Sequence, residues 1–234
     1  MNPLWANDEE LFDLARRELF TAVVGDVMDK MKLRRQFLPP QIQPLDRRMM
    51  AIGRAMTVLE ADFFEDFAPG QNPLSNKSFG LMLEALDDLK TNEIYVCAGA
   101  SPTYALWGEL MSIRAQRCGA VGAVVDGYSR DTHGILELGF PTFSYGAYAQ
   151  DGSPRGKVID FRVPIEIGEA RILPGDILFG DVDGVCVVPK AAEVVKNVRR
   201  LIIAAPQHSS ALGQLVRSDY RRHCARCVPQ QFQP

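Results

Sequence analysis

The spacing of apolar positions changes along this chain, and the spacing names the elements. From residue 8 to 19, Leu11, Phe12, Ala15 and Leu19 recur at helical intervals and give a helix one apolar face. Thr21 offers a capping hydroxyl for a second helix, with Val23, Val24, Val27, Met28 and Met31 as its apolar side. Pro39, Pro40 and Pro44 exclude helix from FLPPQIQPL, residues 37 to 45, which reads as an extended connector. Ala51 to Leu59 reads as a strand, and FGLMLEALDDL, residues 79 to 89, as a helix.

The middle of the chain is more regular. Glu93 to Ala98 is a short apolar strand, Gly108 to Cys118 a helical pattern, and Gly119 suits a left-handed end to that helix. Val121 to Val125 predicts a second buried strand, Asp131 to Leu138 a short helix ending at Gly139, and Pro141 to Tyr145 a third strand. Apolar strands alternating with helices predict parallel βαβ units. Lys157 to Ile167 is strand-like. Gly175 to Gly180 and Gly184 to Pro189 predict an antiparallel hairpin turning at DVDG, residues 181 to 184. A helix begins at Ala191 and extends to Arg200. The expectation is one mixed α/β domain with a helical N-terminal arm over residues 1–198, followed by a divergent tail at 199–234.

Composition adds exclusions. With 47% apolar and 24% charged residues among 234, the chain has the makeup of a globular protein with a sizeable core. A net charge of −3 argues against nucleic acid as a main partner. No apolar run approaches the roughly 18 residues of a membrane helix. The acidic, amphipathic start lacks the layout of a signal peptide, so a cytoplasmic location is expected. Of five cysteines, Cys97, Cys118 and Cys186 sit in apolar or helical patterns, as reduced core thiols do.

Ligands of parallel sheets bind beyond the carboxyl ends of the strands. Two loops qualify: AGASPTYALWGEL after strand 93–98, and DGYSRDTHG (126–134) after strand 121–125. If the strands are neighbours, the loops share a crevice. The first loop feeds a helix whose free N–H groups, Gly108 to Met111 and so including Glu109 and Leu110, form an anion cradle suited to a carboxylate. Glu109 is a hard oxygen donor at the same entrance. Arg130 is a permanent cation whose planar fork suits an oxyanion. Asp131 is a second hard oxygen ligand, and such a set suits Mg²⁺ or Mn²⁺ with most of its water retained.

Taken in order, LPPQIQPL, GEL before a helix, DGYSRD, PTFSYG and GDILFGDVDGVCVVP resemble the family of 4-hydroxy-4-methyl-2-oxoglutarate aldolases and the regulator of ribonuclease activity A, over roughly residues 10 to 198. Members often carry a dimethylmenaquinone methyltransferase-like label, yet this chain has no glycine-rich nucleotide loop to support it. The resemblance implies a swivelling β/β/α fold, a homotrimer or hexamer, and a site between subunits. It implies a divalent-metal lyase that releases pyruvate from a 4-hydroxy-2-oxo acid through a metal-stabilised enolate, with oxaloacetate decarboxylation alongside. By motif, Asp131 resembles the metal ligand, and Arg130 the residue that holds the 2-oxo oxygen. Glu109 resembles the acid near the proton-transfer water, and the Gly108 to Met111 amides the carboxylate cradle. The alternative within the same family is a non-catalytic, ring-shaped regulator.

Plainer readings stand beside these. Arg130 and Asp131 also fit a surface ion pair capping a helix, and Glu109 a first-turn acid favoured by the helix dipole. Asp126 and Gly127 shape the turn. His133 reads as a solvated histidine, and Asp181 and Asp183 as turn residues. Tyr104 and Tyr128 either line the pocket or pack. The aromatic, acidic stretch DFFEDFAPGQN, residues 62 to 72, fits a lid or a subunit contact. From Arg199 onward six arginines face one acid, Asp219, which is why the tail reads as divergent or frame-shifted; its HCARC lacks four-ligand zinc spacing.

Overall fold

Residues 5–63 and 73–193 are described by the computed structural model. The tail at 199–234, most of the 62–72 stretch and the end of the helix expected to reach Arg200 lie outside them. The first helix, α1 (Asp8–Glu18), starts at Asn7, whose side chain accepts from the Glu10 N–H (2.9 Å) while Glu10 accepts from the Ala6 N–H (2.7 Å). Leu11, Phe12 and Ala15 are buried, as their spacing predicts. In α2 (Thr21–Lys30), Phe20 rather than Thr21 occupies the capping position, and Thr21 is the first helical residue. The Thr21 N–H donates instead to Asp181 Oδ2 (2.7 Å), so a carboxylate from a distant hairpin satisfies the helix start.

The chain continues through β1 (Gln43–Pro44), β2 (Ala51–Asp62), a 3₁₀ turn at Pro73–Asn76, α3 (Met82–Asp87), β3 (Glu93–Ala98), β4 (Ala105–Trp107), α4 (Glu109–Arg117) and β5 (Gly122–Val125). After these come β6 (Tyr128–Ser129), α5 (Thr132–Leu138), β7 (Thr142–Ser144), β8 (Gly156–Phe161), β9 (Ile165–Ile167), β10 (Ala170–Ile172), β11 (Ile177–Asp181), β12 (Gly184–Val188) and α6 (Lys190–Glu193). The main sheet runs β1-β7-β5-β3-β2-β11-β12, with β8 also on β2. The pairs β2–β3, β3–β5 and β5–β7 are parallel, as the alternation of strands and helices predicts. The hairpin β11–β12 is antiparallel and turns at Asp181–Gly184.

The long strand β2 organises the sheet. One edge pairs with β3; the other is shared, Ala51–Arg54 with β11 and Val58–Asp62 with β8. Its side chains alternate between two cores. Met56 and Val58 join the cluster beneath α3, α4 and α5, with Trp107, Tyr95 and Ile135. Ala51 and Ala55 join the opposite cluster, roofed by Ile165, Ile167, Ala170 and Ile172 of the small β9–β10 sheet. Helices on one face and a second sheet on the other make the β/β/α layering. A third cluster seats the helical arm, with Leu11, Phe12 and Met28 packed on Phe179 and Cys186. Arg54 pins the arm down: it donates to Asp8 of α1 (Nε, 2.8 Å) and to Glu193 of α6 (Nη1, 2.6 Å).

Several boundaries differ from the pattern-based expectation. Tertiary pairing divides Lys157 to Ile167 between β8 and β9, which belong to different sheets. The helix expected over 79–89 is confined to α3, because Gly80 lies at φ 62° against the carbonyl of Val158. Asp181 ends β11 and is buried, holding both the Thr21 and Asp183 N–H groups (2.7 and 2.9 Å), rather than serving as a plain turn residue. Cys97 and Cys186 are buried free thiols, and Cys118 is a half-buried one. No described helix is long and apolar enough to cross a membrane.

Candidate active site

β3 and β5 are parallel neighbours with Cys97 opposite Val125, so the loops that follow them do share a crevice. A two-stranded parallel sheet too short to register as a periodicity joins these loops: Ala105 pairs with Tyr128, and Trp107 with Ser129. The Arg130 N–H donates to the Trp107 carbonyl (2.9 Å), which fixes Arg130 beside the start of α4. Trp107 is itself held by its indole N–H donating to Ser112 Oγ (2.8 Å) one turn into α4.

A cleft of about 180 Å³ opens here, lined by Gly108, Leu110, Met111, Arg130 and Asp131 among others. Gly108 caps α4 in extended conformation, and the hydrogen bonds of the helix begin with Ser112 N–H to the Gly108 carbonyl (3.0 Å). The amides before Ser112 therefore face outward as donors. A β-carbon at Gly108 would lie 3.0 Å from Asp131 Oδ2 and 3.4 Å from Arg130 Cγ, so glycine keeps this corner open.

Asp131 is the capping residue of α5, not its first helical residue, and its backbone is left-handed at φ 55°, ψ 36°. Aspartate tolerates that region better than most residues. The usual reward is a side-chain hydrogen bond to the helix start, yet Asp131 makes none. Its carboxylate turns toward Gly108 and receives Arg130 Nε at 3.3 Å. Arg130 also pairs with Asp151 Oδ1 at 3.0 Å, from the loop before β8. Glu109 supplies its backbone to the α4 start, while its carboxylate lies against Gly134 in the first turn of α5, where a β-carbon would overlap it. Glu109 is thus set against α5 and, unlike Gly108, Leu110, Met111, Arg130 and Asp131, is not among the described residues that line the cleft. His133 points outward, 89% exposed, and pairs with Glu137 (3.2 Å). Asp126 accepts from the Tyr145 hydroxyl (2.7 Å), and Tyr128 packs against Tyr145 and Tyr148.

Two cleft residues escape sequence reading. Asp151 gives no local signal, since only the fold brings its loop to Arg130. Glu60 does give one: it follows Met56 and Val58 at period two on a buried strand face, one residue past the end expected for the strand. It is 8% exposed, and Cys97 Sγ donates to its Oε2 at 3.5 Å. Burial, reinforced by the charge of Asp62, pushes its carboxyl up to about 7 despite the Cys97 hydrogen bond, which pulls the other way.

A metal is testable against these donors. No group of three or more His, Cys, Asp or Glu converges among the described residues, so a zinc-type cage has no ligands here. A carboxylate free of its capping duty, beside an open glycine corner, fits a hard cation that keeps most of its water.

Comparison with known proteins places the chain in a family. A family model described as RraA-like, Aldolase/RraA, matches residues 21–187. The chain belongs to this family. A protein of Halalkalibacterium halodurans, provisionally named a 4-hydroxy-4-methyl-2-oxoglutarate aldolase, is 30% identical to the RraA-like chain over 178 residues, 76% of each. The 4-hydroxy-4-methyl-2-oxoglutarate aldolase of Thermus thermophilus is 27% identical over 160 residues, 68% of this chain and 88% of that protein. Streptomyces coelicolor RraAS2, described as an unusual member of the RNase ES inhibitor RraA protein family, shares the fold with a TM-score of 0.71 at 24% identity, over 93% of this chain and 100% of that one.

Proposed function

We propose that the protein is a carbon–carbon lyase that cleaves a 4-hydroxy-2-oxo acid, of the 4-hydroxy-4-methyl-2-oxoglutarate type, to pyruvate and a second carbonyl product, with oxaloacetate decarboxylation as the related reaction. The observation that carries this reading is the Asp131 carboxylate, turned away from the helix it caps and into a cleft with Arg130 and the α4 amides. The aldolase names of relatives support it.

In this reading Asp131 holds Mg²⁺ or Mn²⁺. When bound, the ion supplies Lewis-acid polarisation of the 2-oxo group and its neighbouring carboxylate. The Gly108 to Met111 amides receive the substrate carboxylate, with the positive end of α4 behind them. Arg130 holds the 2-oxo oxygen. As the C3–C4 bond breaks, its electrons pass to the pyruvate enolate, and Arg130 stabilises the charge on that oxygen. A water oriented by Glu109 takes the C4 hydroxyl proton as C4 becomes a carbonyl and returns a proton to C3. Leu110, at the rim, is 79% exposed, an apolar side chain that a second subunit would cover in a homotrimer or hexamer.

The test is pyruvate release from 4-hydroxy-2-oxo acids and oxaloacetate with Mg²⁺, Mn²⁺ or EDTA. Release that needs the metal and collapses in Arg130→Ala and Asp131→Ala is expected. No release by the wild type overturns the lyase and leaves the ribonuclease-regulator reading; release unchanged in both variants overturns the roles given to Arg130 and Asp131.

A further inference from the structure

The proposed chemistry uses one end of the cleft. Glu60 also lines it, on a wall that includes Phe79, Met82 and Val158. It stands where the ladder between β2 and β8 shifts register, at Leu59 and Glu60. Such irregularities recur beside functional sites and re-aim the side chains they carry. Gly156 leaves it room: a β-carbon there would lie 2.6 Å from Glu60 Oε1 and would overlap the Tyr104 hydroxyl. Tyr104 is in turn fixed by donating to Asp62 Oδ1 (2.9 Å). Glu60 Oε2 is engaged by the Cys97 thiol, but among the described residues no donor reaches Oε1. An oxygen of a largely buried carboxyl group is thus left open on the cleft side, where a ligand can engage it.

Charge narrows what that ligand is. Among the described residues, Glu60, Asp131 and Asp151 line the cleft against one lining cation, Arg130, which is already paired with both aspartates. A substrate carboxylate at the Arg130 end has the α4 amides to receive it. A second carboxylate toward Glu60 meets no cation among the described lining residues and faces an acid. A hydroxyl there suits either protonation state of Glu60, donating to the carboxylate or exchanging hydrogen bonds with the neutral acid.

We propose that Glu60 reads the far half of the substrate through hydrogen bonds, and that this half is uncharged and hydroxylated rather than a second carboxylate. The substrate class is then a 4-hydroxy-2-oxo acid with a polyol tail. This inference rests on the lyase reading above: it keeps the cleavage to pyruvate, replaces the dicarboxylate of the 4-hydroxy-4-methyl-2-oxoglutarate type with a polyol acid as the preferred substrate, and adds a specificity-determining residue.

The experiment compares kcat/KM for pyruvate release from 4,5,6-trihydroxy-2-oxohexanoate and from 4-hydroxy-4-methyl-2-oxoglutarate, using the full-length protein with Mg²⁺. The wild type should prefer the polyol by about tenfold or more. Glu60→Gln, which keeps the hydrogen bonds, should hold that ratio within about threefold. Glu60→Leu should lower it about tenfold, mainly through KM for the polyol, as expected for one lost hydrogen-bonding group. A wild-type preference for the dicarboxylate, or a ratio unmoved in a folded Glu60→Leu protein, overturns the inference and leaves the lyase standing. Should the leucine variant fail to fold, Glu60→Met, an unbranched apolar side chain of similar length, takes its place with the same expected loss. No pyruvate from either substrate removes the lyase reading and this inference together.

Discussion

Arg130 reaches across the cleft to Asp151, Nη1 to Oδ1 at 3.0 Å, while its Nε faces Asp131 at 3.3 Å. One guanidinium is therefore aimed by two carboxylates from different loops. The two aspartates should separate in their effects. Arg130→Ala should lower kcat/KM by about 10²–10³, the range for losing a donor that stabilises a developing oxyanion. Asp151→Asn leaves the cation in place and should cost only about two- to fivefold, in line with a half-exposed ion pair. Pyruvate-release kinetics measure both, and equal losses would argue that Asp151 does more than aim Arg130.

Asp131→Asn separates metal binding from folding. Asparagine also tolerates the left-handed backbone at this position, so the melting temperature should stay within about 1–2 °C of wild type. Mn²⁺ affinity, read by calorimetry, should fall at least tenfold, and EDTA should abolish pyruvate release by the wild type. Unchanged Mn²⁺ affinity in the variant would place the metal elsewhere.

Gly108→Ala tests the open corner. Its methyl group would press on Asp131 Oδ2 and Arg130 Cγ, at 3.0 and 3.4 Å, without left-handed backbone to add strain. Activity should drop about tenfold or more while thermal stability changes little, since sub-ångström displacement of reacting groups is expensive. A fully active variant would show that neither group needs its present position.

The Glu60 carboxyl makes stability depend on pH. Its pKa rises from an ordinary 4.5 to about 7 on folding, so between those values the folded chain binds a proton that the unfolded chain has lost. Stability from this group is therefore full below about pH 4.5 and is lost as pH rises through 7. Glu60→Gln removes the titration. It should match wild type near pH 4.5 and exceed it at pH 8, by a margin on the order of 3 kcal/mol at about 1.4 kcal/mol per unit. Chemical denaturation at the two pH values measures the difference; parallel curves would mean that Glu60 is solvated.

Arg54→Ala should release the helical arm. The guanidinium joins Asp8 and Glu193 and lies over the Phe12 ring at 5.7 Å. Asp8 stays partly exposed, so the expected cost is about 2 kcal/mol, below the range for a fully buried pair. That corresponds to a fall of roughly 4–8 °C in melting temperature for a chain of this size. An unchanged melting temperature would mean that Phe12 and Leu11 hold the arm by packing alone.

Local pattern was enough to place the regular elements. The helical faces at Leu11–Leu19 and Val24–Met28, the strands at 93–98 and 121–125, and the hairpin at DVDG all follow from apolar spacing and turn residues, because each element buries one face and must show that period. The same logic placed Gly119 and Gly139 at helix ends, and both are left-handed, at φ 85° and 62°. The family was legible as well, because it depends on the order of short motifs.

What local pattern did not carry was contact at long range. Asp181 satisfies the start of α2 across 160 residues, and Asp151 reaches Arg130 from a loop with no motif of its own. Glu60 was hidden by a boundary drawn one residue short, although period two pointed to it. The carboxylate of Asp131 could be read as a helix cap or as a ligand until the backbone turned it away from its own helix. Sequence alone determined the elements, their order and the family, since these rest on local periodicity and motif. Tertiary structure decided which polar groups share the cleft and which are left without a partner, because that depends on β4 pairing with β6 and on the register of β2, and no local period encodes either.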